Sequence, residues 1–147
     1  MMSRYRWSAL VLAVIILISG SFLFVATASD TTSQMAQSRA NGHYMMTTDE
    51  LYDMLRSKDF TLVNVHVPYE GELSQTDLFI PYTEIDQHLD SLPADKNAKI
   101  VLYCKTDRMS GIAAARLAEL GYTNVWDVRG GMIEWKQKGY PIYNTTF

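Results

Sequence analysis

The chain has 147 residues, of which 48% are apolar and 20% are charged, which is enough for one folded domain with a hydrophobic core. All 16 acidic residues follow residue 25, whereas two of the 13 basic residues precede it, so 11 basic residues face 16 acidic ones beyond that point, a formal charge of −5. This acidic balance argues against a nucleic-acid partner.

The N-terminus has the features of an export signal. Arg4 and Arg6 precede an apolar run over residues 7–25, and residues 26–28 form the Ala-x-Ala pattern of a cleavage site. The run is also near the length that spans a bilayer, so residues 1–28 are predicted as either a cleaved signal peptide or a membrane anchor. Basic residues before the run predict an extracytoplasmic domain, periplasmic or at the cell surface. Membrane contact is then expected only through residues 7–25, if they are retained.

The segment after this signal is polar and small over residues 29–44, which predicts a flexible tether before a domain at 45–147. Thr47 and Glu50 have the spacing of a capping box, which predicts that a short amphipathic helix begins there. Residues 60–65 are rich in β-formers and are predicted as a strand.

The remainder of the domain alternates helix and strand patterns. The predicted elements are a short helix at 85–92, a strand at 98–103, a helix at 111–120, a strand at 124–128 and a helix at 132–138. Ser110 is the predicted N-cap of the alanine-rich helix, and Gly121 is its predicted stop. Such alternation predicts an α/β fold with a small, mainly parallel sheet flanked by helices.

Cys104 is the single cysteine of the chain, and it directly follows the strand predicted at 98–103. Reactive loops in such sheets lie at the carboxyl ends of strands, where the chain turns into a helix. Loop amides, the helix N-terminus and the charges of Lys105 and Arg108 would stabilise a thiolate there. A lone cysteine can also be a small buried hydrophobe or an intermolecular cross-link. The combination of strand, cationic loop and helix start favours a reactive group.

His66 and Glu70 follow the strand at 60–65 and are predicted at the rim of the same sheet edge. His66 could relay a proton or orient an acceptor thiol, although a histidine satisfied by local hydrogen bonds is the commoner outcome. Glu70 could shape specificity, whereas exposed loop carboxylates are usually only solvated. With one cysteine and no histidines clustered at ligand spacing, no metal site is predicted.

Two motifs resemble the rhodanese family of sulfurtransferase domains. The segment CKTDRM at 104–109 follows a strand, opens with cysteine and leads through Ser110 into a helix. The segment GGMIEW at 130–135, together with GYP at 139–141, is similar to the C-terminal signature of the family. The resemblance covers residues 45–143.

This resemblance implies a single-domain sulfurtransferase. The Cys104 thiolate would attack the outer sulfur of a small donor, carry that sulfur as a persulfide and pass it to a thiol or to cyanide. The substrate-binding and anion-binding loop would comprise Lys105, Thr106, Asp107, Arg108, Met109 and Ser110, with the amides from Thr106 onward holding the negative charge of the persulfide. No metal or organic cofactor is implied.

The chain departs from the family in its cysteine loop and after its first strand. Asp107 stands where many members have glycine, and a carboxylate at this point opposes an anionic donor, so thiosulfate is an uncertain substrate. Asn64 and His66 stand where the first strand of the family commonly ends in Asp-x-Arg. These departures indicate a divergent subgroup.

Two other functions fit parts of the pattern. A cysteine-dependent phosphatase needs an arginine six positions after the cysteine, where this chain has Ser110, and this argues against phosphate chemistry. A non-enzymatic rhodanese-like module at the membrane remains an alternative. Such a module would bind a protein partner, or would sense sulfur or oxidation state through Cys104.

Overall fold

The computed structural model describes residues 39–40 and 42–144. The segment predicted as a signal peptide or membrane anchor, residues 1–28, lies outside them. Within the described part of the chain, no helix combines the length and the apolar character that crossing a membrane requires.

The described residues form one six-stranded sheet with the order β1-β2-β6-β5-β3-β4. Its strands are β1 Arg39–Ala40, β2 His43–Met46, β3 Thr61–Asn64, β4 Leu78–Phe79, β5 Ile100–Tyr103 and β6 Val125–Val128. β1 pairs antiparallel with β2 at one edge, and the other neighbours are parallel. The prediction of a mainly parallel sheet is confirmed.

Helices cover both faces of this sheet, as α/β folds require. The α-helices of the described residues are α1 Thr48–Met54, α2 Arg108–Glu119 and α3 Gly131–Gln137. Ala114 of α2 packs on the face that carries Leu102, whereas Leu51 of α1 and Trp135 of α3 pack with Val101 on the opposite face. Because both faces are covered, β5 is buried along its whole length.

Thr47 caps α1 as the capping-box pattern predicts. The amide of Glu50 donates to Thr47 Oγ1 at 3.2 Å, and the amide of Thr47 donates to Glu50 Oε2 at 2.6 Å. The two side chains thus satisfy two backbone donors that the helix leaves unpaired. The cap fixes the start of α1 directly after β2.

The α-helix predicted at 85–92 is absent from the described residues, and two 3₁₀ turns, Ile85–Gln87 and Leu89–Ser91, take its place. No side chain caps either turn. Leu92 precedes Pro93 and has an extended backbone, with φ of −87° and ψ of 161°, as a following proline favours. So short a stretch without a cap does not offset the cost of nucleating an α-helix.

The sheet also extends into residues 29–44, the range predicted as a flexible tether. β1 and β2 form a hairpin around Gly42, whose φ of +83° is easily adopted by glycine. His43 opens β2 and is buried. Local sequence does not reveal this strand, because β2 is short and is held by parallel pairing with the distant β6.

Candidate active site

Cys104 directly follows β5, which lies between β3 and β6 in the sheet. The carboxyl ends of parallel strands meet at one edge, and ligands of α/β proteins bind there. Cys104 is only 1% exposed. A reacting group must therefore reach an almost buried sulfur, past the loops that form the rim.

The hydroxyl of Ser110 donates a hydrogen bond to the sulfur of Cys104, with 3.3 Å between Oγ and Sγ. Ser110 lies in the first turn of α2, because the helix begins at Arg108 and Asp107 takes the N-cap position without a side-chain hydrogen bond. The prediction that Ser110 caps the helix was therefore wrong. Its hydroxyl instead donates a hydrogen bond to the sulfur of Cys104, where a donor stabilises negative charge.

The loop between Cys104 and α2 supplies further donors. Four of its residues are exposed, and Met109 is half-buried; the exposed ones are Lys105, Thr106, Asp107 and Arg108. The amides of Arg108, Met109 and Ser110 lie in the first turn of α2, where N–H groups have no carbonyl partner within the helix. Because Ser110 contacts the sulfur, this turn lies against the reactive atom. A helix start in this position favours an anion.

The Gly-Gly turn before α3 holds the cysteine loop from the other side. The amide of Met132 donates to the carbonyl of Cys104 at 2.9 Å, and the amide of Ile133 donates to the carbonyl of Lys105 at 3.0 Å. Gly131 has a φ of +50° and lies so close to the carbonyl oxygens of Thr106 and Cys104 that a Cβ atom would overlap them. Sequence analysis identified this turn only as a motif, whereas its structural role is to dock α3 onto the reactive loop.

His66, Glu70 and Lys105 lie together at the rim, as the positions after β3 and β5 predict. Lys105 Nζ is 2.8 Å from Glu70 Oε2, and this hydrogen-bonded ammonium is the main cause that lowers the pKa of Glu70. His66 Nε2 lies 3.6 Å from Glu70 Oε2, which is too long for a hydrogen bond. Lys105 is thus neutralised by Glu70 rather than directed only at Cys104.

The His66 side chain is 6% exposed, and neither of its ring nitrogens has a hydrogen-bond partner. Burial lowers the pKa of His66; the charge of Glu70 opposes this shift and the charge of Lys105 adds to it. The net shift favours the neutral imidazole. The expectation that local hydrogen bonds satisfy this histidine is wrong for its ring, although the His66 amide does donate to Asn64 Oδ1 at 3.0 Å.

Asp127 is a buried carboxyl that sequence analysis missed. It lies in β6, is 2% exposed, and its Oδ1 atom has no hydrogen-bond partner. Burial raises the pKa of Asp127 to about 7, hydrogen bonds from Ser110 and from the Val128 amide oppose the rise, and the charge of Asp107 adds to it.

Comparison with known proteins agrees with this geometry. The sequence profile of the family described as Rhodanese-like domain matches residues 47–138, more than half of the chain. The chain belongs to the rhodanese family. The sheet, the cysteine loop and the Gly-Gly turn therefore belong to a rhodanese-like domain. The prediction of an α/β rhodanese-like fold is confirmed.

Individual rhodanese relatives differ in what surrounds the domain. A sulfurtransferase from Allochromatium vinosum is 33% identical over 89 residues, which cover 58% of this chain and 80% of that protein. A tRNA uridine(34) hydroxylase from Yersinia pestis is 30% identical over 111 residues, and the match spans 69% of this chain but only 31% of that protein. The crystal structure of a rhodanese-like domain protein from Staphylococcus aureus is 30% identical, with a TM-score of 0.56, and the match covers 68% of this chain and 98% of that one.

Asn64 explains how this rhodanese domain replaces the Asp-x-Arg ending that is common in the family. The side chain is buried, accepts from the His66 amide and donates through Nδ2 to the carbonyl of Gly71 at 3.0 Å. These two bonds tie down the loop that carries His66 and Glu70.

Among residues 39–40 and 42–144, no three His, Cys, Asp or Glu side chains are grouped so that they could hold a metal ion.

Proposed function

We propose that this rhodanese domain is a sulfurtransferase that carries sulfane sulfur as a persulfide on Cys104. The observation that carries the proposal is the 3.3 Å hydrogen bond from Ser110 to Cys104 at the carboxyl edge of the sheet. A hydroxyl donor in this position stabilises the thiolate of Cys104, which is the nucleophile of the first step and the leaving group of the second. The similarity to the sulfurtransferase from Allochromatium vinosum supports the same reaction class.

The reaction has two displacement steps on sulfur. In the first, the Cys104 thiolate attacks the outer sulfur of the donor, a new S–S bond forms, and the donor's own S–S bond breaks to release the remaining anion. In the second, an acceptor thiolate attacks the outer sulfur of the persulfide and Cys104 leaves as a thiolate. The first-turn amides of α2 hold the negative charge of the outer sulfur between the steps.

The charges at the rim favour a donor that does not depend on a strongly cationic pocket. Lys105 is paired with Glu70, and the charge of the exposed Asp107 offsets that of the exposed Arg108. The formal charges of these four side chains therefore sum to zero. A persulfide or polysulfide with a single negative charge fits this rim better than doubly charged thiosulfate. A thiol is the proposed acceptor.

Glu70→Gln is expected to raise kcat/KM for thiosulfate by about threefold at low ionic strength, because it leaves the Lys105 charge unpaired. Steady-state assays at two salt concentrations measure this effect, and an uncharged organic trisulfide should show no gain. Glu119→Gln removes the same charge at the far end of α2 and serves as the matched control. An equal gain with both variants or with both donors would contradict the role given to this ion pair.

Cys104→Ser is expected to abolish sulfur uptake. The reduced protein is incubated with thiosulfate or an organic polysulfide, and intact mass spectrometry measures the addition of one sulfur atom that a thiol removes again. The serine variant cannot form an S–S bond and should stay unmodified. A folded wild-type protein that takes up no sulfur from any donor would overturn the proposed function and leave partner binding or redox sensing as the better hypothesis.

The place of action is proposed to be outside the cytoplasm. This proposal rests on the apolar run and Ala-x-Ala pattern of residues 1–28, which lie outside the described residues. Protease accessibility tests it in cells that express the full chain, have no intact outer membrane and keep a closed cytoplasmic membrane. A domain that stays protected until the cytoplasmic membrane is opened would contradict export.

A further inference from the structure

His66 follows β3 at the edge of the sheet that carries the cysteine loop. β3 and β5 are parallel neighbours, with Asn64 opposite Tyr103, and the amide of Val65 donates to the carbonyl of Tyr103 at 3.0 Å. His66 therefore lies just beyond the end of β3, as Cys104 lies just beyond the end of β5. A charge on His66 would act at the edge where ligands of α/β proteins bind.

The Glu70 carboxylate lies between Lys105 and His66. Its Oε2 atom is 2.8 Å from Lys105 Nζ and 3.6 Å from His66 Nε2. Its Oε1 atom accepts a hydrogen bond from Lys105 Nζ at 2.9 Å, so both carboxylate oxygens contact the ammonium group. A positive charge at position 66 would share this carboxylate with Lys105.

The His66 ring is buried and is held by packing alone. Its side chain is 6% exposed, and neither ring nitrogen has a hydrogen-bond partner in the described part of the chain. Asn64 accepts a hydrogen bond from the His66 amide, which fixes the backbone but not the ring. Among the described residues, Glu70 on the same loop and Lys105 on the loop after β5 are the charged groups that act on the ring. Burial without a hydrogen bond disfavours the imidazolium, so the ring adds no charge at neutral pH.

The charge at position 66 determines the net charge of this part of the rim. With a neutral His66, the formal charges of Lys105 and Glu70 cancel. With a positive charge on His66, Glu70 neutralises one of two cations and a net charge of +1 remains. This added charge attracts doubly charged thiosulfate more than a singly charged persulfide, and it does not attract an uncharged donor.

We propose that His66 is a specificity-determining residue: its neutral side chain leaves Glu70 to pair with Lys105 and so disfavours dianionic donors, and its protonation in acid removes this selectivity. The inference rests on the proposed function, since it concerns the choice of sulfur donor. Burial lowers the pKa of His66 from its usual 6.5, so the imidazolium forms only as the pH falls below that value. The relative use of thiosulfate is therefore expected to rise in acid and to stay constant above neutral pH.

The ratio of kcat/KM for thiosulfate to kcat/KM for an uncharged organic trisulfide tests this role, because changes in the reactivity of Cys104 itself act on both donors. Between pH 7.5 and pH 5.5 at low ionic strength, the ratio should rise about threefold in the wild type. His66→Gln cannot gain a proton, so its ratio should match the wild type at pH 7.5 and fall below it at pH 5.5. High salt should reduce the difference between the two proteins.

His66→Arg introduces a permanent cation beside Glu70 and should raise the same ratio about threefold already at pH 7.5. His88→Arg is the matched control, because His88 Nε2 lies 3.7 Å from Glu84 Oε2 at an exposed position. The control should leave the ratio unchanged.

A structural role for His66 would give a different pattern. The same acid rise in the wild type and His66→Gln, or the same gain in His66→Arg and His88→Arg, would overturn the inference. If the arginine variant does not fold, the comparison of the wild type with His66→Gln decides the question. Failure of the proposed function is distinct, because Cys104 would then take up sulfur from neither donor.

Discussion

Gly131→Ala is expected to destabilise the domain by about 3 kcal/mol or more and to slow sulfur uptake by Cys104. An added Cβ would overlap the carbonyl oxygens of Cys104 and Thr106, and these are backbone atoms that cannot rotate away. The φ of +50° also disfavours alanine. Relief requires that α3 and the cysteine loop move apart, which breaks the bonds from the Met132 and Ile133 amides.

Urea unfolding followed by tryptophan fluorescence measures the loss, since Trp135 is buried in α3. Gly139→Ala is the matched control: its φ is +80°, but a Cβ there would meet nothing within 4 Å. Alanine at position 139 therefore has the strain of a positive φ but no steric overlap of its Cβ atom. If Gly131→Ala lowers the free energy of unfolding no more than Gly139→Ala does, the close packing of α3 on the cysteine loop does not contribute to stability as proposed.

Local sequence patterns were sufficient for most of the elements near the site. The capping box of Thr47 and Glu50, the apolar strand that ends at Tyr103 and the alanine-rich helix that precedes Gly121 each depend on neighbouring residues alone. The position of Cys104 followed, because a strand that leads into a helix places the intervening loop at the carboxyl edge of a parallel sheet. These features could be predicted without knowledge of any distant contact.

Contacts between distant segments could not be predicted in the same way. The ion pair of Lys105 with Glu70 joins residues 35 positions apart, and it depends on the path of the loop that Asn64 ties down. Sequence analysis placed Glu70 at the rim and Lys105 in the anion-binding loop, and it directed the Lys105 charge at the sulfur. The pairing changes what the rim offers to a donor, from a cationic pocket to a nearly neutral one.

Asp127 shows a second reason for failure. Within Val125–Val128 a carboxylate is typical of a solvent-facing position, because a charged residue in a short strand usually points outward. Here α2 covers that face, so the carboxyl is buried. One signal was available: strands of a parallel sheet are covered on both faces, so an acidic residue in such a strand is a candidate for a functional group.

The 3₁₀ turns at Ile85–Gln87 and Leu89–Ser91 show how a pattern can be right about burial and wrong about type. Ile85 and Leu92 do join the core beneath α2, as a helical face would require. The backbone nevertheless lacks a cap, and Pro93 imposes an extended residue before it. Apolar spacing alone cannot distinguish these cases.

Asp127→Asn is expected to raise the free energy of unfolding by about 4 kcal/mol at pH 8 and to change it little at pH 4. The pKa of Asp127 is about 7 in the folded protein against 3.8 for the free side chain. A carboxyl whose pKa is raised on folding contributes stability that is fully present below pH 3.8 and is lost as the pH rises through 7. The wild type therefore loses stability across this range, and the asparagine variant, which does not titrate, escapes this loss.

Chemical denaturation of both proteins at intervals from pH 4 to pH 8 measures the difference, and Asp90→Asn, at an exposed position, is the control for the loss of a surface charge. If the difference in unfolding free energy between wild type and Asp127→Asn increases with pH, the buried carboxylate destabilises the folded protein. A constant gap would mean instead that the two side chains differ in packing and that Asp127 does not titrate in this range. The increasing difference is expected because, among the described residues, a serine and a backbone amide favour the charged form of this enclosed carboxyl and no cation does so.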